Sequence, residues 1–146
     1  MQSNPMYLPL FLIGCLLTSG CGAGAGGVTV TGQVVENGQP IEMSDYDEEV
    51  SGLRVIFVPL TETGESSGEV SQVTSANEDG TFTMAGNMGT GIEPGKYRIG
   101  LIRFKRDASG SEKDQWQGKY GPVESPFVQD ISGSNSKLKI DLAEAQ

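Results

Sequence analysis

The chain has 146 residues, a formal net charge of −9 at pH 7, no histidine and two cysteines, Cys15 and Cys21. Because phosphates demand a basic surface, this acidic composition argues against nucleic acid as a partner. With no histidine, and no cysteine after Cys21, the chain is poorly suited to imidazole acid–base catalysis, a cysteine nucleophile or ordinary zinc ligation. We therefore do not expect an enzyme, and we predict no catalytic residue, cofactor or metal ligand.

The chain begins with a segment typical of a signal peptide. Residues 6–17 are apolar, and residues 1–20 contain no charged side chain. This run is too short to span a membrane but matches the apolar region of a secretory signal. It ends in Leu17-Thr18-Ser19-Gly20-Cys21, which resembles the lipobox of bacterial lipoproteins, with the leucine one place earlier than the usual pattern has it. The resemblance implies that residues 1–20 are removed and that Cys21 is lipidated.

Two alternatives to this interpretation are a lipobox ending at Cys15 and an ordinary cleaved signal with an incidental cysteine. The residues from Cys21 to Gly27 favour lipidation at Cys21, since a run of glycine and alanine makes a flexible tether. Six residues reach about 20 Å when extended, so the domain would lie close to its membrane. We expect a lipid-anchored protein of the bacterial cell envelope, exposed to the periplasm or the cell surface.

The remaining sequence predicts short β-strands. Val alternates with polar residues in the first of them, and Asn37-Gly38 then favours a tight hairpin. Pro94-Gly95 precedes the longest β-compatible segment, which we expect at the centre of the fold. The third strand is weakly hydrophobic, as is common at a sheet edge, and residues 105–125 are expected to be irregular. Seven strands are predicted, at residues 28–35, 53–59, 70–74, 81–84, 96–104, 127–131 and 137–142.

The period of two along a strand also predicts the core. Tyr97, Ile99 and Leu101 lie on one face of the central strand, because successive strand side chains point in opposite directions. We expect this face to be buried. Its predicted partners on other strands are Phe57 or Ile56, together with Phe82 and Ile140.

Five short motifs occur in the order found in a known family. They are Val-Thr-Gly-x-Val with Asn-Gly-x-Pro at 30–40, Val-Ile-Phe-Val-Pro at 55–59, Asp-Gly-Thr-Phe at 79–82, Pro-Gly-Lys-Tyr-Arg-Ile at 94–99, and Lys-Tyr-Gly-Pro at 119–122 followed by Ser125-Pro126. This set resembles the carboxypeptidase regulatory-like domain of small envelope lipoproteins from planctomycete-type bacteria. The resemblance covers residues 28–142, with 143–146 as a tail. It implies a seven-stranded transthyretin-like or immunoglobulin-like β-sandwich and no catalytic residues.

An acidic loop at residues 42–49 is longer than the usual turn of this family. It carries Asp45, Asp47, Glu48 and Glu49, which are oxygen ligands of the kind that Ca²⁺ prefers. Alternatively the loop is mobile and solvated, with Lys113 and Lys119 as candidate ion-pair donors. A second segment, 77–81, resembles part of a calcium loop, although a hairpin turn also accounts for it.

Trp116 and Tyr120 form the last candidate site. These aromatic side chains could stack on a sugar or peptide, or they could instead close one end of the sandwich. Two functions remain open on the sequence: a non-catalytic domain that mediates contact with an envelope protein or acts as a spacer, and a glycan- or peptide-binding module assisted by calcium.

Overall fold

The computed structural model describes residues 26–133 and 137–145, and the regular secondary structure of this part of the chain is almost entirely β-strand. Two short 3₁₀ helices lie at Asn87–Gly89 and Leu142–Ala145. Within the described residues no helix is both long and apolar enough to cross a membrane. The strands are β1 (Val30–Glu36), β2 (Gln39–Pro40), β3 (Ser51–Leu60), β4 (Gln72–Ala76), β5 (Thr81–Met84), β6 (Gly95–Arg106), β7 (Glu112–Asp114), β8 (Val128–Ile131) and β9 (Lys137–Asp141).

All nine strands belong to one connected, curled sheet with the order β2-β1-β5-β4-β3-β6-β7. Strand β8 pairs with β6, and β9 pairs with β1 in parallel, whereas the other pairs are antiparallel. The all-β class is confirmed, but the count of seven strands is wrong. The two additional strands are β2, which closes the Asn37-Gly38 hairpin, and β7, which lies inside the segment predicted to be irregular.

The long pair of β3 and β6 organises the sheet. Ten residues of each strand are in register, from Ser51 opposite Lys105 to Leu60 opposite Lys96. Tyr97, Ile99 and Leu101 are all buried, as predicted from their alternation. The central position of β6 is also confirmed, since it pairs with β3 along one edge and with β7 and β8 along the other.

Phe57 links the two sides of the curled sheet. Its ring lies 5.9 Å from that of Tyr97 on β6 and 6.2 Å from that of Phe82 on β5, with edge-to-face geometry in both cases. Phe57 is fully buried, and Ile140 on β9 belongs to the same core. Of the two alternatives in the sequence, Phe57 and not Ile56 is therefore the residue that faces the central core.

Strand β4 marks the bend of the sheet. It pairs with β3 over five residues but with β5 only where Ala76 lies opposite Phe82. Most of its second edge is therefore unpaired with β5, which agrees in part with the predicted edge position. The strand begins at Gln72 rather than at Val70, and Val70 is exposed.

The strand directions give the fold two ends. The described chain enters at Gly26, and the loops 61–71 and 85–94 lie at the same end, which we call the entry end. The loops 41–50, 77–80 and 107–111 lie at the opposite end, which we call the distal end. Strand β6 has 12 residues and runs between the two ends. At about 3.3 Å per residue, they are roughly 40 Å apart.

Candidate functional site

The acidic loop at the distal end is anchored by apolar side chains. Met43 is 1% exposed and Ile41 8% exposed, and both belong to the central core. The backbone N–H of Met43 donates to the carbonyl of Glu78 at 3.3 Å, and that of Tyr46 donates to the carbonyl of Met43 at 2.9 Å. The loop is therefore anchored to the fold through Ile41 and Met43. Its predicted solvation is confirmed, since Asp45, Asp47, Glu48 and Glu49 are all exposed, and its mobility stays a prediction.

Asp45 is neutralised by two cations from β6. Its carboxylate lies 2.5 Å from Arg103 and 3.2 Å from Lys105. The hydrogen bond from Lys105, aided by the charge of Arg103, lowers the pKa of Asp45 below its ordinary value of 3.8. The predicted donors were incorrect: Lys113 instead pairs with Asp107 at 3.5 Å, and the ammonium group of Lys119 lies over the ring of Tyr120.

The other acidic residues of the loop have separate structural roles. The carboxylate of Asp47 accepts the backbone N–H of Glu49 at 3.0 Å, and the carbonyl of Asp47 accepts that of Ser51 at 2.7 Å, which makes a turn. Glu48 accepts the hydroxyl of Tyr46 at 3.3 Å. In residues 26–133 and 137–145, no group of three or more acidic, histidine or cysteine side chains is placed to hold a metal ion.

The second calcium-like segment is a hairpin turn. The backbone N–H and hydroxyl of Thr81 donate to Asp79 at 3.0 and 2.7 Å, and these bonds lower the pKa of Asp79. Gly80 has a φ of 78°, and a Cβ there would lie 2.5 Å from Ile41 and from the carbonyl oxygen of Val34. Glycine is thus required by both conformation and space.

The fold brings these two segments together around one open cleft. The cleft has a volume of about 620 Å³. It is lined by Glu42, Met43, Ser44, Asn77, Glu78, Asp79 and Thr81. The sequence indicated both acidic segments but not their proximity, because that depends on Met43 entering the core beside the hairpin turn. With its carboxylates, amide and hydroxyls, the cleft offers hydrogen-bond acceptors to a cationic or hydroxyl-rich ligand.

A charged network on the outer face of the sheet was not predicted. Glu112 on β7 lies 2.5 Å from Arg54 on β3 and 2.7 Å from Arg106 on β6. The Arg54 guanidinium also covers the ring of Phe104 at 4.3 Å from its centroid. Hydrogen bonds from Arg54, and then from Arg106, lower the pKa of Glu112 from 4.5 to about 2. Arg54 and Glu112 are 58 positions apart, so no local pattern signals the pair.

Trp116 and Tyr120 are packing residues. Tyr120 is 5% exposed, and its ring is in contact with Trp116 at 5.2 Å and with Phe127 at 5.8 Å. Trp116 is partly buried against the core. The structure therefore shows both residues in packing contacts, and neither residue lines the distal cleft; closure of one end of a sandwich by this pair stays a prediction.

Cys21, the predicted lipidation site, lies outside the described residues, as do residues 1–20. The first described contact of the chain is at the entry end, where Val28 and Ile92 form an antiparallel bridge. Lipidation at Cys21 stays a prediction from the sequence.

Comparisons with known proteins add little to this description. No protein-family model matches the chain, and no curated protein matches it. Among solved structures, the chain is similar to BcpA, the major pilin subunit of Bacillus cereus, with a TM-score of 0.35 and 15% sequence identity. The match covers 79% of this chain and 29% of the pilin, so the chain spans less than a third of that protein's length. A likeness this distant carries no argument about function, and none of the comparisons supports the carboxypeptidase regulatory-like family specifically.

Proposed function

We propose that this protein is a non-catalytic lipoprotein of the bacterial cell envelope, anchored through Cys21, whose β-domain holds its distal end away from the membrane. The observation that carries the proposal is the end of the fold at which the described chain begins. The chain reaches the domain at the entry end, and the loops rich in charge lie at the other end, roughly 40 Å away along β6. A short tether at one end and a rigid loop cluster at the other suit a spacer or contact domain.

The residue chemistry at the distal end favours a structural role over catalysis. Asp45 and Glu112 are held by ion pairs, and Asp79 holds a turn. Each shifted carboxyl has a lowered pKa, which keeps it charged and hydrogen-bonded. A general acid needs the opposite shift, because it must keep its proton near neutral pH.

We also propose the finer fold class, a transthyretin-like or immunoglobulin-like sandwich of the carboxypeptidase regulatory-like type. Two features support it. The sheet bends at the β4–β5 hairpin, where only Ala76 and Phe82 pair, and Phe57 packs across the bend onto Phe82. The five turn and strand motifs between residues 30 and 126 occur in the order expected for that family.

The intact mass of the protein extracted from membranes tests the anchor. We expect a chain that begins at Cys21 and carries the added mass of acyl chains, because two or more chains anchor stably whereas one is marginal. A Cys21→Ser variant should remain uncleaved or leave the membrane fraction. A mature chain that starts at another residue, or that lacks acyl mass, would contradict the proposal.

A binding module is the second candidate, and the distal cleft is the observation that favours it. A glycan or peptide with hydroxyl or amine groups could bind between the 42–44 and 77–81 segments, with calcium as an added ligand. Such a ligand would raise Tm, because it binds only the folded state. A thermal-shift series with Ca²⁺ and envelope glycans separates the candidates, and an unchanged Tm throughout would favour the spacer.

A further inference from the structure

A large apolar side chain is presented to solvent at the entry end. Met88 is 94% exposed at the tip of the 85–94 loop and has a φ of 54°. This left-handed conformation is uncommon for residues other than glycine, asparagine and aspartate. Gly86 and Gly89 beside it also have positive φ, at 66° and 75°. The loop therefore holds a methionine outward in a conformation that a smaller or more polar residue would adopt more readily.

The loop that carries Met88 is fixed to the point of chain entry. Val28 and Ile92 exchange two backbone hydrogen bonds, of 2.7 and 3.0 Å. Gly27 approaches Gly91 so closely that an added Cβ would lie 2.5 Å from its carbonyl carbon. The loop that carries Met88 is thus held, through Gly91 and Ile92, beside the residues at which the described chain begins.

A second exposed aliphatic residue shares this end of the molecule. Val70 is 81% exposed and lines a cleft of about 260 Å³ together with Asn87, the neighbour of Met88. We call Val70 and Met88 the entry face. Glu69 and Glu93 line the same cleft, so the surroundings of the entry face are acidic.

We propose that the entry face contacts the lipid surface and orients the domain on the membrane. This inference rests on the proposed anchorage at Cys21. Gly27 is the sixth residue after Cys21, so Gly27, which contacts the 85–94 loop, lies no farther than about 20 Å from an anchored cysteine. A tether this short makes docking intramolecular and gives weak apolar contacts a high effective concentration. Because Glu69 and Glu93 would repel anionic headgroups, the apolar contact of Val70 and Met88 suits a zwitterionic surface.

Methyl NMR of the methionines tests the contact without altering the face. The chain from Cys21 onward has three methionines: Met43 and Met84 are buried, whereas Met88 is exposed. The protein, labelled at the methionine methyl groups, is coupled through the Cys21 thiol to a maleimide lipid in phosphatidylcholine nanodiscs that contain a nitroxide lipid. We expect the nitroxide to broaden the Met88 methyl signal several-fold more than that of Met43 at the distal end.

A matched pair of valine variants separates docking from mere proximity to the anchor. Val70→Ser removes an 81% exposed valine of the entry face, and Val123→Ser removes a 78% exposed valine on the β6 flank. Val70→Ser replaces two methyl groups by a hydroxyl, and the loss of even one buried methylene weakens an apolar contact roughly fourfold, so this variant should reduce the broadening at Met88 by at least that factor. Val123→Ser should leave it unchanged. Unchanged Met43 and Met84 signals report that both variants are folded.

Three results would overturn the proposal: broadening at Met88 no greater than at Met43, equal effects of the two valine variants, or a dimer of the lipid-free protein that Val70→Ser dissociates. The last would assign the entry face to a second copy of the chain. Since the maleimide lipid replaces native acylation, docking is measured even if the mass of the extracted protein disproves the anchor. The two proposals can therefore fail separately.

Discussion

Glu112 shows how single side chains hold the outer face of this sheet together. Arg54 donates to both of its carboxylate oxygens, at 2.5 and 2.7 Å, and Arg106 donates through two nitrogens, at 3.1 and 2.7 Å. A planar guanidinium matches a carboxylate in this two-bond geometry, and it can stack on an aromatic ring at the same time, as Arg54 does on Phe104. One glutamate therefore connects β3, β6 and β7.

Acid should weaken the folded state partly through Glu112. Its pKa is about 2 in the folded protein against an ordinary 4.5, so its stabilising contribution is present above pH 4.5 and is lost as pH falls from 4.5 to about 2. We expect the Tm of Glu112→Gln to fall less over this window than that of the wild type. Thermal unfolding monitored by circular dichroism measures the difference.

The control for this titration is Glu124→Gln, since Glu124 is exposed and none of the described ion pairs includes it. Its acid profile should follow that of the wild type. Asp45, Asp79 and Asp107 also have lowered pKa values. The Tm of Glu112→Gln should therefore still fall in acid, but by less than the Tm of the wild type. Identical profiles for wild type and Glu112→Gln would contradict the assignment.

At the scale of elements, the 41–50 loop is held by packing more than by charge. Ile41 and Met43 alternate with Glu42 and Ser44, and the apolar pair enters the core. The side chain of Asp45, which pairs with Arg103 and Lys105, is 41% exposed to solvent. Exposed pairs contribute about 0–1 kcal/mol, whereas a buried methionine contributes several times more.

This difference predicts the effects of substitution in the loop. Met43→Ala should lower the free energy of unfolding by about 2–5 kcal/mol, because it empties a buried site. Asp45→Asn should lower it by at most about 1 kcal/mol. Met88→Ala is the matched control, since Met88 is exposed, and it should stay within about 0.5 kcal/mol of the wild type. Denaturant unfolding measures all three, and a larger loss from Asp45→Asn than from Met43→Ala would show that charge holds the loop.

The elements that could be predicted from the sequence are those with a local signal. Alternation identified β1 and the inward face of Tyr97, Ile99 and Leu101 on β6, a continuous apolar run identified β3, and the Asn37-Gly38 turn located the first hairpin. Strands β2 and β7 have two and three residues, so their pairing depends on partners that the fold supplies. The distal cleft and the Arg54–Glu112 pair join segments distant in sequence, which is why only their separate parts could be found.

At the scale of the whole molecule, the two ends of the described chain close the fold. Strand β9 pairs in parallel with β1, from Thr31 opposite Lys137 to Val35 opposite Asp141. The backbone N–H of Gly38 also donates to the Asp141 carboxylate, across 103 positions in sequence. Such distant pairing has a high loop-closure entropy cost, and the buried side chains that it brings together must offset it.

Removal of β9 should therefore affect the entire domain. Three side chains of this segment are at most 9% exposed and belong to the central core: Leu138, Ile140 and Leu142. A chain truncated after Ser136 loses all three, and it also loses β9, the parallel partner of β1. Losing even one such side chain costs about 2–5 kcal/mol, and a typical domain has only about 5–15 kcal/mol in total. We expect no cooperative thermal transition in this truncated chain.

Truncation after Leu142 is the control, because it removes only the tail, in which Ala145 packs partly against the core. The chain truncated after Leu142 should keep a cooperative transition, with a modestly lower Tm than the full chain. Adding a synthetic peptide of residues 137–146 to the chain truncated after Ser136 should restore cooperative unfolding if β9 completes the fold. A cooperative transition without β9 would instead show that β1, β3, β5 and β6 form a self-sufficient core, and that the parallel strand is an addition to it.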